Sequence, residues 1–255
     1  MGTVSLFFNL SCAGLKVPDP QRPGRVLIAP DAWVAGPLDH HIVTEGPAEV
    51  DLLRIEMSPW EAYRLLGGTP IREIANTDLP MEEFLGRWAT EMLYRLHDIK
   101  DHRDRARCLR AALAARLSDA PGPDPAVLHI WQRIRASGGR VQIGELAAEM
   151  GWTRRHLTRK FTQHAGLPPK SMARIRRLHL ALDLLATGSG MAMSDLAVQC
   201  GYSDQPHLTR EMRALTGRTP SHLLPDLIDR REDEDELGTS HSFKTSPAPG
   251  NYIRP

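Results

Sequence analysis

The sequence predicts an α+β protein in two parts. A small β-rich N-terminal half closes with helices, and an all-α half follows, built as two helix-turn-helix units joined by one long helix. Segment 4–57 alternates short apolar runs with Pro, Gly and Asp clusters, the pattern of strands and turns. From residue 59 the apolar period lengthens to that of helices. The polar word "HLTR" stands at 156–159 and again at 207–210 with matching flanks, the mark of an internal repeat of about fifty residues.

At 255 residues and 41% hydrophobic content the chain can fold around cores of ordinary size. Its formal charge of +1 hides an asymmetry: residues 124–228 hold 14 Lys/Arg against 8 Asp/Glu, a net of +6, which leaves −5 for the rest. A basic segment inside a neutral chain points to nucleic acid. Cys12, Cys108 and Cys200 are scattered singly, which argues against a disulfide scaffold or structural zinc and suits a reducing cytoplasm. The opening "MGTVSLFFNL" has no Lys or Arg ahead of its apolar run, so it does not read as a signal peptide. No stretch approaches the ~20 apolar residues of a membrane span, and no membrane partner is expected.

The runs "VSLFFNL", "RVLIAP", "AWVAG", "HIVTE" and "VDLLRIEM" are the strands of 4–57, and 59–117 is helical. Ser58 as N-cap and Pro59 at the first helical position open a helix that stops at Gly67-Gly68. Phe84, Leu85, Trp88, Met92, Leu93 and Leu96 then recur along one amphipathic helix, whose apolar face suits the domain's own strands better than a second subunit. A further helix spans 102–117. "SDAPGPDP" (118–125) is a linker no regular element tolerates, and "AVLHIWQRIRASGG" resumes as helix.

Within the repeat, Ile143, Leu146 and Met150, or Met193, Leu196 and Cys200, make the apolar face of a short helix, and Gly151 or Gly201 makes a turn. Thr153 and Ser203 are candidate N-caps for the next helix. There Leu157 and Phe161, or Leu208 and Met212, stand four apart and face inward. Pro206 is tolerated because first-turn N–H groups have no intrahelical acceptor. Between the copies one helix runs over residues 169–186, about 27 Å long, with Gly188 as terminator. The tail 229–255, acidic and then Pro/Ser-rich, reads as disordered.

Facing outward are Arg154, Arg155, Thr158 and Arg159 in one copy, and Gln205, Pro206, Thr209 and Arg210 in the other. Arg forks onto guanine O6/N7, Gln pairs with adenine N6/N7, and Thr or Pro touches the thymine methyl, so the duplicated set suits a major groove. For any one of these residues a solvated helix face is the ordinary explanation. The phosphate candidates are Thr153, Arg154, His156, Lys170, Arg177, Ser203 and His207; the two histidines alternatively pack at the helix start, and Arg174, Arg176 and Arg177 alternatively lie on a solvated face.

The motifs "LAxxxGWTRRHLTRKF", "GLPPxxxxxxRRLxxALDLL", "LAVQCGYSDQPHLTREM" and "GRTPSHL" resemble those of the AraC/XylS-type bacterial transcription regulators over about residues 125–226. Pro168, Met172 and Met212 stand where that family has Ser, an aromatic and Phe. The resemblance implies a double helix-turn-helix DNA-binding domain at 126–228, with base-reading positions at Arg155, Thr158, Arg159, Gln205, Pro206, Thr209 and Arg210. It implies a sensor or dimerisation domain at 1–117, reduced from a cupin-like barrel. The implied partners are promoter DNA, RNA polymerase, a small-molecule effector and a second copy of the chain. No cofactor, metal or catalytic residue is expected. The competing reading is an enzyme, or a redox or ligand sensor, with an accessory DNA-binding domain. Against it, His40 and His41 in a strand would point to opposite faces, and the chain has no P-loop, GxGxxG or nucleophile elbow. Cys12 and Cys108 as redox sensors compete with the ordinary reading of inert buried thiols.

Overall fold

In a computed structural model the described residues are 2–11, 14–18, 26–46, 50–117, 122, 124–187, 190–220, 222–223, 241–242 and 250–254. Strand β1 (Val4–Asn9) is buried along its whole length and sorts its side chains by alternation. Leu6 and Phe8 join the core beneath the helices, whereas Phe7 joins a second, smaller core on the opposite face. The strands that follow are β2 (Lys16–Pro18), β3 (Val26–Ile28), β4 (Ala32–Ala35), β5 (Ile42–Gly46) and β6 (Leu52–Met57). Antiparallel pairing sets Phe7 opposite Trp33, and the two rings stack with centroids 4.6 Å apart and planes 5° from parallel.

Helix α1 (Pro59–Leu65) begins at Ser58 with the expected cap, completed as a capping box by Glu61. A 3-10 turn (Ile71–Glu73) and strand β7 (Asp78–Pro80) follow, the strand falling in a region the sequence reads as wholly helical. The single amphipathic helix expected around Phe84–Leu96 is two: α2 (Glu82–Leu85) and α3 (Arg87–Asp98) break at Gly86, whose φ of 57° and ψ of −147° no helix contains. The apolar period survives the break, so Leu85, Ala89, Met92 and Leu96 still share one buried face. Helix α4 (His102–Leu117) has the expected bounds and packs on α3 and α1. Trp88 is partly buried against the core, with the Arg116 guanidinium 5.3 Å from its ring centre.

The all-α half contains α5 (Pro125–Ala136), α6 (Ile143–Glu149), α7 (Arg154–Ala165), α8 (Pro169–Ala186), α9 (Met193–Gln199) and α10 (Gln205–Thr216). Beyond them, β8 (His241–Ser242) pairs with β6, and β9 (Gly250–Arg254) pairs with β5 along all five of its residues. The first sheet thus has the order β7-β4-β1-β6-β8 and the second β3-β2-β5-β9. These two pieces depart from the reading of 229–255 as disordered. The rest of that tail, Cys12, Gly188 and most of the 118–125 linker lie outside the described residues. No helix among the described residues is long and apolar enough to cross a membrane.

The two halves share packing that local sequence does not announce. Helix α7 lies against α1 and the 3-10 turn, and Trp60 of α1 belongs to the same core cluster as Phe161, Leu157 and Ile130 of the helical half. Tyr63 of α1 lies 5.2 Å from the His164 ring.

Two histidines of the helical half are held toward the neutral form. Burial pushes His179 of α8 down to about 3, Arg176 adds to the push, and Glu56 of β6 opposes it. Burial likewise lowers His164. A depressed histidine pKa contributes stability above the unfolded value of about 6.5, and that stability is lost as pH falls through it toward the folded value. Acidification from about pH 7 to about pH 5 should therefore destabilise the chain, with about 1–2 kcal/mol traceable to His179. His179→Gln should flatten that part of the stability-against-pH curve; an unaltered slope would remove His179 as its source.

Candidate nucleic-acid interface

The repeated word has a structural meaning at each letter. His156 lies edge-on to Trp152 at 4.7 Å, and His207 edge-on to Tyr202 at 5.3 Å, so each histidine locks the aromatic that follows the turn glycine. Leu157 and Leu208 are fully buried. Thr158 and Thr209 are half-buried, and Arg159 and Arg210 are exposed. Recurrence of the word reflects two copies of one local job: lock the turn, fill the core, present the last two side chains.

The caps differ between the copies. Thr153 accepts from the His156 backbone N–H at 3.2 Å, as expected. In the second unit the cap is Asp204, which accepts from His207 N–H at 2.7 Å, and not Ser203 as the sequence suggests. The extra residue of that copy lies in the turn, so Asp204 is the one three positions before the histidine. Ser203 instead places its hydroxyl 3.1 Å from His207 Nδ1.

The residue after the word ties each unit to the helix preceding it. Lys160 pairs with Asp124, the N-cap of α5, at 2.7 Å, and its ammonium holds that carboxyl below the usual range. Glu211, at the matching place, pairs with Arg174 of α8 at 2.6 Å and lies 3.7 Å from Arg177. Helix α5 thus supports the first unit as α8 supports the second, with the charges exchanged. Sequence reasoning assigned no role to Lys160 or Glu211; their identical offset from the word was the available signal.

Arg177, read from the sequence as a phosphate contact, has neighbours in the second unit. Its guanidinium sits 5.2 Å from the Tyr202 ring centre and beside Glu211, inside the second unit. Arg154 is exposed but folds over the first turn of α6, where a Cβ on Gly144 would come 2.5 Å from its Nη2. Arg155, Gln205, Pro206 and Lys170 are exposed. Among the described residues no side-chain hydrogen bond or ion pair engages Arg155, Arg159 or Arg210. Arg155 lies in the first turn of α7, the end whose unpaired N–H groups and dipole favour anions, and Arg159 and Arg210 stand one turn further along α7 and α10.

Exposure along α7 is divided. Arg154, Arg155 and Arg159 stand clear, whereas Phe161 and Ala165 are buried and His164 is packed on Tyr63. The N-terminal half of the protein thus covers the far end of this helix and leaves its first turns open. His40 and His41 lie beyond β4 and outside any strand; His40 meets Asp39, and His41 reaches α10. No group of three His, Cys, Asp or Glu among the described residues could hold a metal. Cys108 is half-buried against the N-terminal core, and burial raises the Cys200 thiol.

Residues 146–225 match the family described as a helix-turn-helix domain. An uncharacterised HTH-type transcriptional regulator, YbfI of Bacillus subtilis (strain 168), is 32% identical over 93 residues, which cover 36% of this chain and 33% of that protein. An uncharacterised HTH-type transcriptional regulator of Staphylococcus aureus (strain MSSA476) is 30% identical over 87 residues, 34% of this chain and 11% of its own length. The chain therefore spans a third or less of the curated relatives it matches. Among solved structures, a "probable AraC family transcriptional regulator" from Rhodopseudomonas palustris CGA009 is 29% identical, with 41% of this chain and 98% of that chain covered at a TM-score of 0.37. ToxT from Vibrio cholerae is 14% identical, with 88% and 90% covered at a TM-score of 0.49. By its doubled motif, its paired capped helices and the family it matches, the segment 146–225 is a helix-turn-helix domain.

Proposed function

We propose that the chain is a sequence-specific DNA-binding transcriptional regulator whose helices α7 and α10 enter adjacent major-groove segments of promoter DNA. The observation that carries this reading is the exposure of matching positions in both copies, Arg154, Arg155 and Arg159 on α7 and Gln205, Pro206 and Arg210 on α10, with Thr158 and Thr209 half-buried beside them; the base-reading set is Arg155, Thr158, Arg159, Gln205, Pro206, Thr209 and Arg210. Arginine and glutamine there offer the bidentate donors and acceptors that distinguish base edges. Helix α8, 18 residues and so about 27 Å long, is comparable with the ~34 Å between successive major grooves on one face of the duplex. Thr153, Arg154, His156, Lys170, Ser203 and His207 supply phosphate contacts that set register; Arg177 is left out because Glu211 and Tyr202 already occupy it. Residues 1–117 modulate the reader through a small-molecule effector or a second copy of the chain, and activation proceeds through contact with RNA polymerase in the cytoplasm.

Sites can be recovered by selecting duplexes from a random-sequence library with the full chain. Arg159→Ala and Arg210→Ala should each weaken binding to a selected site by about 1–3 kcal/mol and relax preference at the base each one reads. If both variants protect the same bases as wild type with equal affinity, the base-reading assignment is wrong.

A further inference from the structure

The loop 36–41, between β4 and β5, reaches out of the N-terminal half and meets the reader at three points. Pro37 packs on Gly166, the residue that ends α7: a Cβ there would lie 2.5 Å from Pro37 Cγ, and φ at Gly166 is 81°. The Ser171 hydroxyl, in the first turn of α8, donates to Asp39 Oδ2 at 3.3 Å. His41 Nδ1 donates to the Ala214 carbonyl in the last turn of α10 at 3.4 Å. Its ring also covers Gly217, the C-cap of that helix, where a Cβ would approach the ring to 2.9 Å. One loop therefore touches the closing end of both recognition helices and the start of the rod between them.

The loop is itself rigidly backed. Gly36 N–H donates to Thr77 O at 3.0 Å, Asn76 N–H to Pro37 O at 3.0 Å, and Asp39 N–H to Asn76 Oδ1 at 3.2 Å. Asn76 holds a φ of 58°, and a Cβ on Gly36 would collide with Ile74 O at 1.7 Å, so β4 and the 74–77 turn are pressed together. A support of this kind transmits position. The reader's own two units meet largely through α8, so the angle between α7 and α10 is set by that helix and by whatever braces both of their ends.

On a duplex that angle is a count of base pairs. Moving the second contact by one base pair shifts it about 3.4 Å along the axis and turns it by about 35°. We propose that the 36–41 loop is a spacing strut: by holding α7 through Pro37, α8 through Asp39 and α10 through His41, it fixes how many base pairs separate the two segments the chain reads. Pro37, Asp39 and His41 are positioning residues and touch no DNA. The inference rests on the DNA-reading function proposed above.

The test uses the full chain and duplexes recovered by its own selection, re-synthesised with one base pair inserted or removed between the two conserved blocks. Wild type should lose about tenfold or more in affinity for either change, comparable to one lost base contact. In the Asp39→Ala/His41→Ala double variant the penalty should fall below about threefold, while affinity at the original spacing changes far less. A purely structural role would lower all affinities together. His41→Gln, which keeps a polar side chain on the loop, serves as the milder variant should the double one melt below the assay temperature. If a folded variant shows the wild-type penalty, the strut is refuted and the DNA reading stands. If wild type itself selects no two-block site, the DNA reading fails and the strut with it.

Discussion

Truncating Trp60 to alanine is expected to lower the unfolding free energy of the full chain by about 3–5 kcal/mol, a loss that falls on both halves at once. Trp60 projects from α1 of the N-terminal half, yet it is 7% exposed and sits in the core of the first helix-turn-helix unit. Its ring is tilted against Trp131 at 6.0 Å and edge-on to Phe161 at 6.2 Å. Phe161 is an inward residue of α7, so a cavity there loosens the helix that presents Arg155 and Arg159. The buried Trp60 Nε1 has no hydrogen-bond partner among the described residues. Trp60→Phe removes that unpaired donor while keeping an aromatic ring, and should cost far less than the alanine. Denaturant unfolding followed by fluorescence and by far-ultraviolet dichroism checks this. Coincident transitions are expected in wild type, and a Trp60→Ala protein as stable as wild type would show that the halves do not share a core.

Local pattern made most of the helical half legible. The bounds of α8, the Thr153 cap, the buried Leu157/Phe161 and Leu208/Met212 pairs and the outward arginines all follow from helical period and capping chemistry, which operate within a turn or two. What the sequence concealed depends on partners far along the chain. Arg177 looks like any exposed arginine on an amphipathic helix until Glu211 is folded against it. Trp60 looks like an ordinary core residue of its own domain, and nothing near it names Phe161. The break at Gly86 is hidden because the apolar period continues through it, and the Asp204 cap because the second turn is one residue longer than the first. The edge strands β8 and β9 come from a tail whose composition resembles that of a disordered segment, and they gain structure by pairing with sheets laid down some two hundred residues earlier.

Arg105→Ala should destabilise the N-terminal half by about 2–4 kcal/mol, a large effect for a charged residue. Arg105 stands in the first turn of α4 and is 8% exposed. Its Nε donates to the carbonyls of Leu96 at 3.1 Å and Ile99 at 2.5 Å, and its Nη1 meets Asp51 Oδ2 at 2.7 Å. The carbonyls at the end of α3 have no intrahelical donor, so this guanidinium serves as their cap and joins α3, α4 and the approach to β6. The Asp51 side chain is 36% exposed, which keeps the ion pair's own share small; most of the loss comes from carbonyls left buried and unpaired. Lysine should recover less than half of it, because one ammonium on a flexible stem cannot reproduce the fork. Measured well below the melting temperature, Arg105→Ala should retain wild-type affinity for a selected site, since the residue lies away from α7 and α10. A variant that melts with wild type, or that loses affinity while still folded, would contradict a role confined to holding the N-terminal half together.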